Sequence, residues 1–233
     1  PSLGAADFAH AAEQFSLRPE NKPKCHYSDT CPSNSKFWRL LFGVGLIVRL
    51  GLFHFLNRIV KTLRKNHIDY GQAIRDLQKA VYHVDKDDES RVITALVNGS
   101  YNGKVHSPEE IEEMKTDNRT WKKFAEYIRR TIYPFEVIRI NLDQWFVRHK
   151  ASASPGAAPA RGRLDPESGL SLFTQETKDA LENCKQKAEW VTDPMTKEEL
   201  YVPVQPSKRA RSQLQKWIGF RGAESKLEVF HSY

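Results

Sequence analysis

The spacing of apolar residues changes character near His67: before it short extended segments alternate with amphipathic helices, and after it most apolar residues recur at helical intervals. Residues 5–16, AADFAHAAEQFS, put Phe8, Ala12 and Phe15 on one helical face, and 18–24, RPENKPK, reads as a polar connector. A short extended segment then runs into Asp29. Ser33 offers an N-cap for a helix carrying Phe37, Leu40 and Leu41, which Gly43 and Gly45 end before an apolar strand at 46–50, LIVRL. That strand meets a helix near Gly51, with Phe55, Leu56, Ile59, Val60 and Leu63 on its apolar stripe and Arg58, Lys61, Arg64 and Lys65 opposite.

Beyond residue 67 the pattern predicts a helical run. Ile74, Leu77 and Val81 mark a helix over 70–84, DKDDES caps one at 91–97, and Ser107-Pro108-Glu109-Glu110 starts another with proline at its first position. Helices at 121–132 and 135–148 follow, separated by Pro134. Residues 151–163, ASASPGAAPARGR, have the composition of a flexible linker or surface loop. A helix at 174–190 capped by Thr174, a short hairpin at 195–204 and a helix at 213–219 complete the expectation, with no internal repeat.

Composition narrows the partners. At 233 residues, 39% apolar, the chain can bury a core as one large domain or two small ones. The excess of 36 Lys+Arg over 29 Asp+Glu gives a formal charge of +7, which favours polyanions, although many basic proteins bind none. Cys25, Cys31 and Cys184 are an odd, sparse set without a secretory leader, the usage of a reducing compartment. No apolar run approaches the roughly 20 residues of a membrane span, so no membrane partner is expected. The chain begins at Pro1 and stops at Tyr233 inside an apolar helical pattern, so both ends read as cut and a fragment is expected.

Several sets of residues invite a chemical reading, each with a plainer alternative. Asp29 ends an extended segment beside a strand that leads into a helix, a position from which a carboxylate can hold a metal; the alternative is an ordinary turn or cap aspartate. Glu228, in SKLEVFH, reads by itself as one more helix-surface glutamate. His54 can act at the site or simply bond a backbone carbonyl at the strand–helix junction. Cys25-His26 and Cys31 sit near His54 in this reading, but C-x5-C lacks the spacing of zinc sites and no second pair follows, which favours cysteines as small core residues. Lys208, Arg209 and Arg211 form a basic cluster suited to nuclear import or DNA phosphates, or to plain solvated surface. The cations of 75–148 are interleaved with Glu109, Glu110, Glu112, Glu113 and Glu126, the pattern of mixed-charge helix faces, and Trp121, Trp145 and Phe146 read as core.

The segments HYSDTC, SKFW, LIVRLGLFHFLNRI, a long helical stretch and FRGAESKLEVFHSY together resemble the catalytic core of eukaryotic cut-and-paste DNA transposases. The likeness is to the DDE-type Kyakuja-Dileera-Zisupton kind, and more distantly to the hAT and Mutator-like groups. It spans residues 8–233 and its motifs lie at the two ends. The resemblance implies an α/β fold: a partial RNase H-like core, few strands flanked by helices, interrupted by a large all-helical insertion. It would place partial core at 1–66, insertion at 67–150, a linker or loop at 151–170, the end of the insertion at 171–220 and a return to the core at 221–233. In the family three acids bind two magnesium ions. Asp29 matches the second acid, Glu228 the third, and Gly51-Leu52-Phe53-His54 occupies the C/D-x-x-H motif, with glycine where the family has Cys or Asp. The first acid would lie on an upstream strand that these residues lack; Asp7, at a predicted helix start, is a poor substitute. The resemblance implies a transposase catalytic domain, inactive as this chain stands, with Mg2+ as its cofactor if active, DNA as partner and a nuclear location. Homo-oligomerisation is left open. The alternative is a non-catalytic DNA-binding or protein-interaction module domesticated from such an enzyme.

Overall fold

The computed structural model describes residues 13, 24–150, 164–165, 168–204 and 214–219. They form a mixed α/β structure rich in helix, with three two-stranded sheets among the described residues. In chain order the elements are β1 (Cys25–Ser28), α1 (Ser35–Phe42), β2 (Ile47–Leu50), α2 (Leu52–Val60), α3 (Tyr70–Val81), β3 (Tyr82–Val84), α4 (Lys86–Val97), α5 (Pro108–Thr116), α6 (Asn118–Trp121), β4 (Arg130–Ile132), α7 (Phe135–His149), α8 (Gln175–Gln186), α9 (Lys197–Leu200), β5 (Tyr201–Val204) and β6 (Lys216–Gly219). Single 3-10 turns follow α6 at Lys122–Phe124 and α8 at Ala188–Trp190. The predicted helix at 5–16, the 151–163 segment, Lys208, Arg209, Arg211 and Glu228 lie outside the described residues, apart from the helical Glu13.

The chain divides into two compact units, Pro1–Val81 with Tyr133–Pro194, and Tyr82–Ile132 with Met195–Tyr233. In the first, β1 and β2 pair in parallel with α1 as the crossover between them. Gly43 ends α1 at φ +102°, a conformation that only glycine adopts cheaply, and so turns the chain back toward β2. Val48 and Leu50 are fully buried and alternate with the partly exposed Ile47 and Arg49, as the strand period of two requires. α2 buries Leu52, Phe55 and Ile59 and packs on α8. Thr62, just beyond α2, anchors the N-terminus of α8: its carbonyl accepts from the Thr174 and Thr177 hydroxyls at 3.4 and 3.2 Å.

α3 and α7 form the other half of this unit, with Ile138, Leu142 and Trp145 turned inward. The Trp145 indole donates to the Ala73 carbonyl at 2.8 Å, and Phe146 stacks on Phe173 at 4.8 Å between centroids. A polar pair is sealed among them: His149 Nε2 lies 3.0 Å from Asp76 Oδ2, and Gln72 donates to Asp76 Oδ1 at 2.8 Å. Their mutual hydrogen bonds are what make such burial tolerable.

The second unit has a core of Val92, Leu96, Ile111, Phe124, Tyr127 and Ile128. α4 starts at Asp85, whose carboxylate accepts from the backbone N–H of Asp87 and Asp88 at 3.1 and 2.9 Å. α5 starts with a full capping box between Ser107 and Glu110 and Pro108 at its first position, as the sequence predicts. Asp88 is buried and takes a fork from Arg129, with Nε to Oδ2 at 2.7 Å and Nη2 to Oδ1 at 3.0 Å. The other face of that guanidinium lies 4.0 Å over the Trp217 ring on β6.

Four predicted elements are corrected. The stretch beyond residue 67 is not wholly helical: Tyr82–Val84 leaves the helix expected over 70–84 and pairs antiparallel with Arg130–Ile132. The helix expected at 121–132 breaks after Phe124, because the β-branched Thr131 and Ile132 satisfy their backbone in that ladder. The helix expected at 213–219 is instead the strand Lys216–Gly219, paired antiparallel with Tyr201–Val204, and the hairpin expected at 195–204 is the short α9 followed by β5. Ser33 also does not cap α1. Asn34 holds that place with no side-chain bond to the helix, and the Ser33 hydroxyl turns back to donate to the Thr30 carbonyl.

Candidate functional site

Because β1 and β2 are parallel, they finish at the same end, where open α/β sheets place their ligand crevices. Ser28 pairs with Leu50 at the last rung, so Asp29 and Gly51 leave the sheet side by side, and Gly51 N–H donates to Ser28 O at 3.1 Å. The Ser28 hydroxyl organises the loop that follows, accepting from Asn34 Nδ2 at 2.7 Å and from Thr30 N–H at 3.3 Å. Arg58 reaches back from the last turn of α2 and donates through Nη2 to the Asp29 carbonyl at 2.9 Å. The loop is therefore held from both strands and from the helix behind them.

Of the residues singled out in the sequence, Asp29 lies exposed in the turn after β1, and His54 is half-buried in the first turn of α2 with its ring edge-on to Phe53 at 5.4 Å. Gly51 has φ −59° and ψ 133°, ordinary extended backbone that does not itself demand glycine. His26 is half-buried against Trp38 at 4.1 Å; burial lowers its pKa, and the charge of Asp29 opposes the shift in part. No group of three or more His, Cys, Asp or Glu that could hold a metal ion occurs among the described residues. Asp29 is the one residue of the implied magnesium set that lies among them, and its proximity to Glu228 is outside what they describe.

All three cysteines are free thiols, with Cys31 and Cys184 buried. Burial pushes the Cys25, Cys31 and Cys184 thiols up to about 11, so each is protonated at neutral pH and a weak nucleophile. Around two of them the charges are positive: Arg49, Arg39 and Arg58 act on Cys31, and Arg58 and Lys187 on Cys184, each opposing the rise.

Of these cations, Arg58 and Lys187 open onto a cleft of about 570 Å³ lined by Thr30, Cys31, Pro32, Ser33, Ser35, Lys36, Arg58 and Lys187. Lys36 comes from the first turn of α1, Arg58 from the end of α2 and Lys187 from the C-cap of α8. No acidic residue is among these lining residues. The sequence places Arg58 on the polar side of a helix and gives no sign that Lys36 and Lys187 join it. Their numbers are far apart, and each alone looks like a solvated charge.

Among the described residues no helix is long and apolar enough to cross a membrane. Comparison of the chain with protein-family models, with curated proteins and with solved structures found no match.

Proposed function

We propose that these residues derive from the catalytic core of a DDE-type transposase of the Kyakuja-Dileera-Zisupton kind, and that in this chain the core holds DNA without cutting it. The observation that supports the ancestry is the parallel β1–α1–β2 unit, which brings Asp29 and the Gly51–His54 segment to the same end of adjacent strands. That is the relation a partial RNase H-like core requires of its second acid and its C/D-x-x-H motif. The helical residues between them and Glu228 then correspond to the family's insertion.

The loss of cutting follows from chemistry. Phosphodiester displacement by this class uses two magnesium ions about 4 Å apart that stabilise the entering and leaving oxygens, and both ions need carboxylates in a fixed cluster. Asp29 and Glu228 supply two acids, and Gly51 brings no side chain where the family has Cys or Asp. DNA remains the partner best matched by a formal charge of +7, by the cation-lined cleft beside Asp29 and by the basic run at Lys208, Arg209 and Arg211, which also suits nuclear import. Assembly into a homo-oligomer is compatible with this reading.

Incubation of the protein with supercoiled plasmid and Mg2+ or Mn2+ tests the proposal. The expected result is DNA binding that weakens steeply with salt and no nicked product. Metal-dependent nicking abolished by Asp29→Ala would overturn the loss of activity. Absence of DNA binding at low salt would instead favour a protein-interaction module, for which α7 offers the exposed Val137, Ile140 and Val147.

A further inference from the structure

We infer that the cleft at the carboxyl ends of β1 and β2 binds a phosphate oxyanion, gripped by Lys36, Arg58 and Lys187. Three cations, from the first turn of α1, the last turn of α2 and the C-cap of α8, line one concavity whose lining includes no acidic residue, so no carboxylate in its wall neutralises them. The hydroxyls of Thr30 and Ser35 line the same cleft and can donate to phosphate oxygens, while the Ser33 hydroxyl is committed to the Thr30 carbonyl. Arg58 commits Nη2 to the Asp29 carbonyl, which fixes its guanidinium in place, and the group carries five N–H donors in all. Fixing the fork before the ligand arrives lowers the entropy lost on binding.

One further observation points the same way. The eight-residue α1 begins at Ser35 in the cleft wall with no side-chain cap on its first turn, so the positive end of its dipole faces this side.

The inference deepens the DNA-holding reading and rests on it only for the source of the phosphate. A nucleic-acid backbone and free inorganic phosphate share the oxyanion, and the two are separated by experiment. In the first arm, amide chemical shifts of the 15N-labelled full chain are followed during titration with inorganic phosphate at constant ionic strength. Saturable shifts are expected in residues 30–36 and at Lys187. Lys36→Gln and Lys187→Gln, made singly and together, should weaken the response at least 10-fold, and Lys123→Gln, on an exposed lysine of the other unit, should not. Arg58 is left unchanged because it also holds the Asp29 loop, and the single lysine variants serve if the double variant does not fold.

The second arm measures binding of a short DNA duplex against salt. Loss of two phosphate contacts in the double variant should lower the slope of log K against log salt by about 2. A phosphate response with an unchanged DNA slope would keep the oxyanion site and refute DNA as its source. Shifts that do not saturate, or that survive both lysine changes, would overturn the site itself, whatever the plasmid experiment shows.

Discussion

Removal of the Asp88 carboxylate is the sharpest test of how the second unit is held together. The Asp88 side chain is fully shielded from solvent and accepts three bonds from Arg129, through the backbone N–H at 3.0 Å, Nε at 2.7 Å and Nη2 at 3.0 Å, besides one from Arg91. Arg129 keeps only 11% of its side-chain exposure, so solvent screens the pair little. Its pKa is raised, chiefly by the hydrogen bond to Asp88, and burial opposes that shift. Asp88→Ala would strand a buried guanidinium and cost about 3–5 kcal/mol, the usual range for breaking such a pair from one side. Arg91 is half-exposed and can rehydrate, which argues for the lower end, about 3 kcal/mol. Urea denaturation followed by circular dichroism reads this as a lower midpoint at unchanged slope. Adding Arg129→Met should recover a large part of the loss, because an apolar side chain needs no partner there and can still pack on Trp217. A cost below about 1 kcal/mol for Asp88→Ala, or a double variant no more stable than the sum of the singles, would refute the reasoning.

Two other outcomes follow from the same structure. Burial pushes the Asp85 carboxyl up, but the Lys197 hydrogen bond, the Asp88 N–H and the charges of Lys197 and Arg129 outweigh it and hold the group below the usual carboxylate range. A depressed folded pKa gives stability that is present above the unfolded value near 3.9 and is lost as pH falls through the folded one. Lys197→Met should therefore flatten the acid limb of the stability profile, and an unchanged limb would contradict this role. With all three thiols near 11, a disulfide-exchange reagent at pH 7.5 should label the native protein slowly and the urea-unfolded protein at three sites. Rapid labelling of any thiol in the native state would contradict their shielding.

What the sequence made legible was local. The LIVRL strand, the glycine break at Gly43, the apolar stripe of α2 and the Ser107 capping box depend on neighbours a few residues away, and each is found where the pattern puts it. What failed depends on distant partners. Arg130–Ile132 reads as helix until Tyr82–Val84 is available to pair with it, and Lys216–Gly219 until Tyr201–Val204 is. DKDDES is readable as a helix start, yet nothing in it distinguishes the capping Asp85 from Asp88, whose partner Arg129 lies far along the chain. The cleft was hidden for the same reason. Asp29 stood out by its place after a strand, whereas Lys36, Arg58 and Lys187 become a site only once α1, α2 and α8 surround one end of the parallel pair.

The proposed transposase ancestry stands or falls on whether Asp29 and Glu228 share a pocket. A crystal structure of the full chain grown with Mn2+ would measure the separation of the Asp29 and Glu228 carboxyl groups. Two ions about 4 Å apart, each about 2 Å from its ligand oxygen, require carboxylates within about 8 Å of each other. The account predicts both carboxyl groups at the carboxyl ends of β1 and β2, beside the cation-lined cleft and not in its wall, at about that spacing; side chains on opposite faces, or more than about twice that distance apart, would contradict it.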